Sequence, residues 1–79
     1  MHHLPHVTAL RHVHDFVLWL RFSDRTEGEV DLGSALEGEV FAPLRAPAFF
    51  AQVQLHPELR TATWPNGADF APEFLYARV

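Results

Sequence analysis

The chain contains no cysteine and no lysine. Without cysteine it has no disulfide, no thiolate nucleophile and no thiolate metal site. Its six basic residues are all arginines (Arg11, Arg21, Arg25, Arg45, Arg60 and Arg78), scattered along the chain and outnumbered by ten acidic residues. The formal net charge is −4 with histidine neutral. A protein that binds the phosphate backbone needs clustered positive charge, so no direct contact with nucleic acid is expected. No apolar run approaches the roughly 20 residues of a membrane span, so no membrane partner is expected. The opening Met-His-His-Leu-Pro-His lacks the charged-then-apolar plan of a signal peptide, which points to the cytoplasm. Phosphate loop, nucleophile elbow and zinc-protease helix motif are all missing. The hydroxyl residues Thr8, Ser23, Thr26, Ser34, Thr61 and Thr63 show no local base pattern. The reading therefore leans away from an enzyme, with no catalytic residue and no cofactor assigned.

With 79 residues, the chain has room for one domain, spanning 1–79. A domain of this size buries only roughly 60% of the surface its unfolded chain exposes. Marginal stability of that kind favours a partner or a second copy. Six histidines make the charge sensitive to pH: protonating all of them takes −4 to +2. Low solubility is expected where the charge crosses zero, in mildly acidic solution.

The first 32 residues read as a three-stranded antiparallel meander. Phe16, Leu18, Leu20 and Phe22 alternate with Val17, Trp19 and Arg21, which is strand periodicity. A tight turn at His14-Asp15 would pair Val13 with Phe16, Arg11 with Leu18, Ala9 with Leu20 and Val7 with Phe22. A loop of Ser23, Asp24 and Arg25 would close Phe22 against Thr26. That register sets Gly28 beside Leu20, Val30 beside Leu18 and Leu32 beside Phe16, giving one apolar face. The opposite face would carry the rows Thr8–Arg21–Glu27, Leu10–Trp19–Glu29 and His12–Val17–Asp31. Leu10, Val17 and Trp19 make that outer face partly apolar, so either the chain's own helix or a dimer mate covers it, or it is a contact surface for another protein.

Residues 33–46 read as a loop with a short turn. Pro47 suits the first position of a short helix through Val53. Gln54–His56 and Thr61–Trp64 read as strands joined by a turn at 57–60. Pro72 opens a second helix to about Arg78. The fold class is α+β: a three-stranded N-terminal meander plus a C-terminal hairpin, with two short helices. In Trp-Pro-Asn-Gly-Ala-Asp, Pro65 presets the first central dihedral of a type I turn, Asn66 suits the second, and Gly67 accepts a positive φ. Trp64 and Ala68 then close the loop, with Trp64 and Phe70 toward the core and Asp69 pointing away.

Four runs together resemble a known family: Val40 to Phe50, His56 to Leu59, Trp64 to Asp69 and Pro72 to Tyr76. They are similar to domain-of-unknown-function family number 2442, small bacterial proteins, and the likeness runs from about Val7 to Tyr76. Trp-Pro-Asn-Gly-Ala-Asp is its specific part. The resemblance implies no established activity. Some members look fused to a helix-turn-helix domain, and others look encoded beside another small protein, a layout that resembles a toxin–antitoxin pair. It implies a regulatory, antitoxin-like partner for another protein, such as the product of a neighbouring gene. The family commonly has glycine where this chain has Arg25 and Arg60, and aspartate where it has Ala46, His56 and Ala71. Arg25 would have to take a left-handed conformation at a cost of roughly 1 kcal/mol. Each alanine before a helix-opening proline forfeits about 1 kcal/mol of capping.

The chemistry-bearing residues divide into two groups. Leu10, Val17, Trp19, Glu29 and Asp31 are the expected partner-binding set, with Glu27, Glu29 and Asp31 forming an acidic stripe suited to a basic partner. A homodimer is the alternative occupant. Trp64, Asn66, Asp69 and Tyr76 are the set for the competing reading, a small-ligand or enzymatic domain built on the Trp64–Asp69 loop. Asp69 and Glu73 also have a local explanation at a helix N-terminus. His2, His3 and His6 sit near the chain end, where the fixed tetrahedron of a structural metal site is not expected. His12 and Asp31, on strands either side of Val17, make a poor acid–base pair.

Overall fold

The computed structural model describes residues 5–79. Three strands form the antiparallel meander in the order β1 (Val7–His14), β2 (Val17–Phe22) and β3 (Glu27–Asp31). The β2–β3 pairing is the expected one, with Leu18 opposite Val30 and Leu20 opposite Gly28. Phe22 donates its N–H to the Thr26 carbonyl at 2.8 Å, closing the three-residue loop, and Leu32 donates to the Phe16 carbonyl at 2.8 Å. Arg25 stands at φ +73°, the left-handed conformation the loop demands.

The β1–β2 pairing departs from expectation. Leu10 lies opposite Leu20 and His12 opposite Leu18, while Ala9 faces Arg21 and Arg11 faces Trp19. The register shifts between Val7 and Ala9 and again between His12 and His14. Thr8 and Val13 are therefore extra residues, each a bulge that re-aims the side chains after it. The turn is Asp15-Phe16, closed by His14 and Val17, rather than His14-Asp15. Asp15 takes φ +42°, a conformation aspartate tolerates. The slip has a clear energetic reason. It exchanges Ala9 and Arg11 for Leu10 and His12 on the inner face. Leucine buries more apolar surface than alanine, and an inward arginine would bring an unpaired charge.

The second half follows as two short 3-10 turns, Gly33–Ala35 and Ala42–Arg45, then helix α1 (Pro47–Phe50), strands β4 (Gln54–Leu55) and β5 (Ala62–Thr63), and helix α2 (Pro72–Tyr76). Both helices are shorter than expected. After each, the backbone tightens into bonds three residues apart, Val53 to the Phe50 carbonyl and Arg78 to the Leu75 carbonyl. Ala46 and Ala71 occupy the N-cap positions with no side-chain cap. The 57–60 turn is held by His56, whose Nδ1 accepts the N–H groups of Glu58 at 3.1 Å and Leu59 at 3.0 Å. A carboxylate could accept the same pair of bonds, so the turn needs an acceptor at this position rather than a histidine as such. Arg60, at φ +55°, completes the turn, and its carbonyl accepts the Val7 N–H at 2.9 Å, tying the hairpin to β1.

The core lies between the inner sheet face and this second half. Leu18, Leu20, Phe22, Leu32, Leu36, Leu44, Phe50 and Leu75 are fully buried. A run of aromatic rings joins the layers: Phe50 against Trp64, Trp64 against Phe70, and Phe70 stacked between Phe41 at 4.8 Å and Phe74 at 5.2 Å. Thr61, the buried polar residue of the core, donates its hydroxyl to the Phe70 carbonyl at 2.6 Å. Among the described residues, no buried side-chain polar atom lacks a partner. None of their helices is long and apolar enough to cross a membrane.

Candidate functional site

The outer face of the meander carries Ala9 and Arg11 from β1, Val17, Trp19 and Arg21 from β2, and Glu27, Glu29 and Asp31 from β3. Alternation along each strand puts them there. Trp19 stands at the centre. The guanidinium carbons of Arg11 and Arg21 each lie 5.3 Å from its ring centroid, so two cations flank one indole. Arg21 Nε also donates to Glu27 Oε2 at 3.0 Å. Both of those side chains remain about half exposed, so the pair contributes between zero and about 1 kcal/mol.

Val17 and Trp19 are half-buried, yet neither belongs to the core or packs against it. The arginine stems provide Trp19 with its partial cover. The face is electrically divided. Its β1–β2 side carries two arginines and its β3 side three carboxylates. An open depression of about 420 Å³ adjoins it at the β2–β3 hairpin, lined by Thr8, Arg21, Phe22, Ser23, Arg25 and Glu27.

The predicted partner-binding set is brought together with one correction. Val17, Trp19, Glu29 and Asp31 share this face, but Leu10 points into the core side opposite Leu20. Arg11 takes its place beside Trp19. The same slip moves His12 inward, where its ring meets Phe50 edge-on at 5.8 Å and its Nε2 donates to the Asp15 carbonyl at 2.9 Å. His12 and Asp31 thus stand on opposite faces. Arg11 is absent from the predicted set because only the correct cross-strand register brings it beside the indole, whereas Arg21, two residues from Trp19 on the same strand, is on this face in either register.

The predicted ligand set is dispersed among structural duties. Trp64 is buried, and its Nε1 donates to the Phe50 carbonyl at 2.8 Å. Asn66 Nδ2 donates to the Val40 carbonyl at 3.0 Å, while its Oδ1 accepts the Ala68 N–H at 3.1 Å. Trp64 and Ala68 close the loop as expected, with Gly67 at φ +87°. Asp69 is exposed and pairs with Thr63 through a backbone bridge. Tyr76, at the end of α2, packs elsewhere, against the β2–β3 hairpin. Its ring packs edge-on against Phe22, and its hydroxyl donates to Asp24 Oδ2 at 2.6 Å. That hydroxyl, followed by the Thr26 N–H, holds the Asp24 carboxyl below its ordinary value of 3.8.

Among the described residues no three histidine, aspartate or glutamate side chains are placed to hold a metal ion. His2 and His3 lie outside the described residues, and the His6 backbone is bonded to Ser23.

The chain belongs to the family described as protein of unknown function (DUF2442), whose family model matches residues 7–79. No match was found among curated proteins or among solved structures.

Proposed function

We propose that this family member is a small cytoplasmic regulatory module that binds another protein, in the manner of an antitoxin, through the outer face of its meander. The observation that carries the reading is Trp19, held between Arg11 and Arg21 on a sheet face that the core does not reach. Tryptophan and arginine dominate the binding energy of protein interfaces. A ring already fixed by its neighbours loses little freedom on contact. The acidic edge beside it adds a charge pattern by which a partner is oriented. No observation favours the small-ligand reading, because Trp64 and Asn66 are occupied in holding the loop.

The test is a photo-crosslinking amino acid in place of Val17, with Val40, an exposed residue of another loop, as the control position. In living cells the substitution at Val17 should give a discrete adduct with a different protein, beyond any with a second copy of the chain, and the one at Val40 should not. Mass spectrometry then identifies what was captured. A folded protein that crosslinks to nothing from position 17 would refute the proposal.

A further inference from the structure

We infer that the outer face is also self-complementary, and that in the absence of that other protein a second copy of this chain occupies it, laid face to face about a two-fold axis parallel to the strands. This rests on the reading of that face as the binding surface. β2 is the middle strand, so a two-fold axis along it sets β1 of one copy over β3 of the other. Rows are preserved by that rotation. Arg11 and Glu29 occupy one row, the Trp19 row. Each Arg11 therefore meets Glu29 of the second copy, and each Glu29 meets an Arg11. Val17 and Trp19 lie near the axis and form the apolar centre. Arg21 also lies near it, with its charge already offset by Glu27 in its own chain.

The other face-to-face arrangement has its axis across the strands. It lays β3 on β3, so the carboxylate stripe of Glu27, Glu29 and Asp31 meets its own copy, which is repulsive. Charge thus selects one of the two. Isologous contacts of this sort close at two subunits.

The size of the face sets the strength. Strand spacing of about 4.8 Å and a rise of about 3.3 Å per residue make it roughly 14 by 18 Å. Two such faces together cover roughly 500 Å², well under the about 1,200 Å² of a standard interface, so the contact is weak and transient. The dimer should dissociate in the upper micromolar range or above and respond to salt.

The experiment is sedimentation equilibrium of the purified chain from about 1 µM to about 1 mM. The expected mass rises from 9.0 kDa toward twice that value. R11E and E29R should each weaken the dimer by about tenfold or more, and the double variant R11E/E29R should recover it. Circular dichroism checks that the variants fold. Should either single variant fail to fold, the salt dependence of the unaltered chain decides: at about 0.5 M salt the dimer should weaken measurably. The inference is overturned if the unaltered chain stays monomeric throughout, if the double variant is no tighter than the singles, or if salt leaves the dimer unchanged. A monomer that nonetheless crosslinks a different protein from position 17 would sink this inference and leave the proposed function standing.

Discussion

The two faces of the meander are made from alternate residues of the same three strands, yet they have opposite chemistry. Inward point Leu18, Leu20, Phe22 and Val30, all buried in one apolar cluster with the helices of the second half. Outward point Val17, Trp19, Arg21, Glu27, Glu29 and Asp31, with charge divided between the edges. Because side chains alternate strictly, a residue's role is fixed by whether it stands at an odd or even place in the ladder. The two bulges of β1 reset that parity twice within eight residues. The difference between the faces teaches that the fold selects for the inner one. Where the simple register and the apolar content of β1 disagree, the backbone yields, and the outer face inherits Arg11 as a result.

Substitutions across this boundary test the contrast. The largest effect is expected from Leu18→Ala, which opens a cavity in the core and should cost about 2–5 kcal/mol by urea unfolding. Val17→Ala, one residue away on the other face, should change stability by about 0.5 kcal/mol or less. Equal losses at the two positions would mean that something within the chain covers the outer face.

Next comes the parity itself. Leu10→Asp should cost about 1–3 kcal/mol, while Arg11→Asp should leave the unfolding midpoint nearly unchanged. The reverse order would restore the simpler register in which Leu10 points outward.

A smaller effect concerns the turn that aligns β2 with β3. Arg25→Gly should stabilise the domain by about 1 kcal/mol or slightly less, since it relieves a left-handed arginine while loosening the unfolded chain. A loss of stability would show that the Arg25 side chain contributes more than its backbone strain costs.

The smallest effect belongs to Asp24. Its carboxyl is held below the ordinary 3.8 by the Tyr76 hydroxyl. A lowered folded-state value contributes stability that is present above the unfolded value and lost as pH falls through the folded one. The Tyr76→Phe variant should therefore differ from the parent near neutral pH and converge with it below 3.8. A difference that persists at low pH would assign the effect to the hydroxyl's contact with Thr26, which does not depend on the Asp24 charge.

How much of this was legible in the sequence depends on the range over which the signal acts. Local rules worked well. Alternation placed β2, and the Ser23–Arg25 loop placed β3 in register. Pro65, Asn66 and Gly67 announced a turn that Trp64 and Ala68 close. Cross-strand information was harder to read. Nothing in Val-Thr-Ala-Leu marks Thr8 as a bulge, because the bulge is a compromise between β1 and what β2 already offers. That one slip put Leu10 in the expected site and left Arg11 out of it. The helix ends were overextended because four or five residues give too little periodicity to locate a boundary. The dispersal of Trp64, Asn66, Asp69 and Tyr76 follows from contacts as distant as Asp24 with Tyr76, which no local pattern encodes.

The positions of the two tryptophans have a consequence for light. Trp64 sits in a dry interior with its indole N–H bound to a carbonyl, whereas Trp19 meets solvent between two cations. Their emission should therefore separate, the interior indole to the blue and the surface one to the red. Quenching by an aqueous solute should strike the second first. The chain thus carries two native fluorophores, one reporting whether it is folded and the other whether its outer face is occupied.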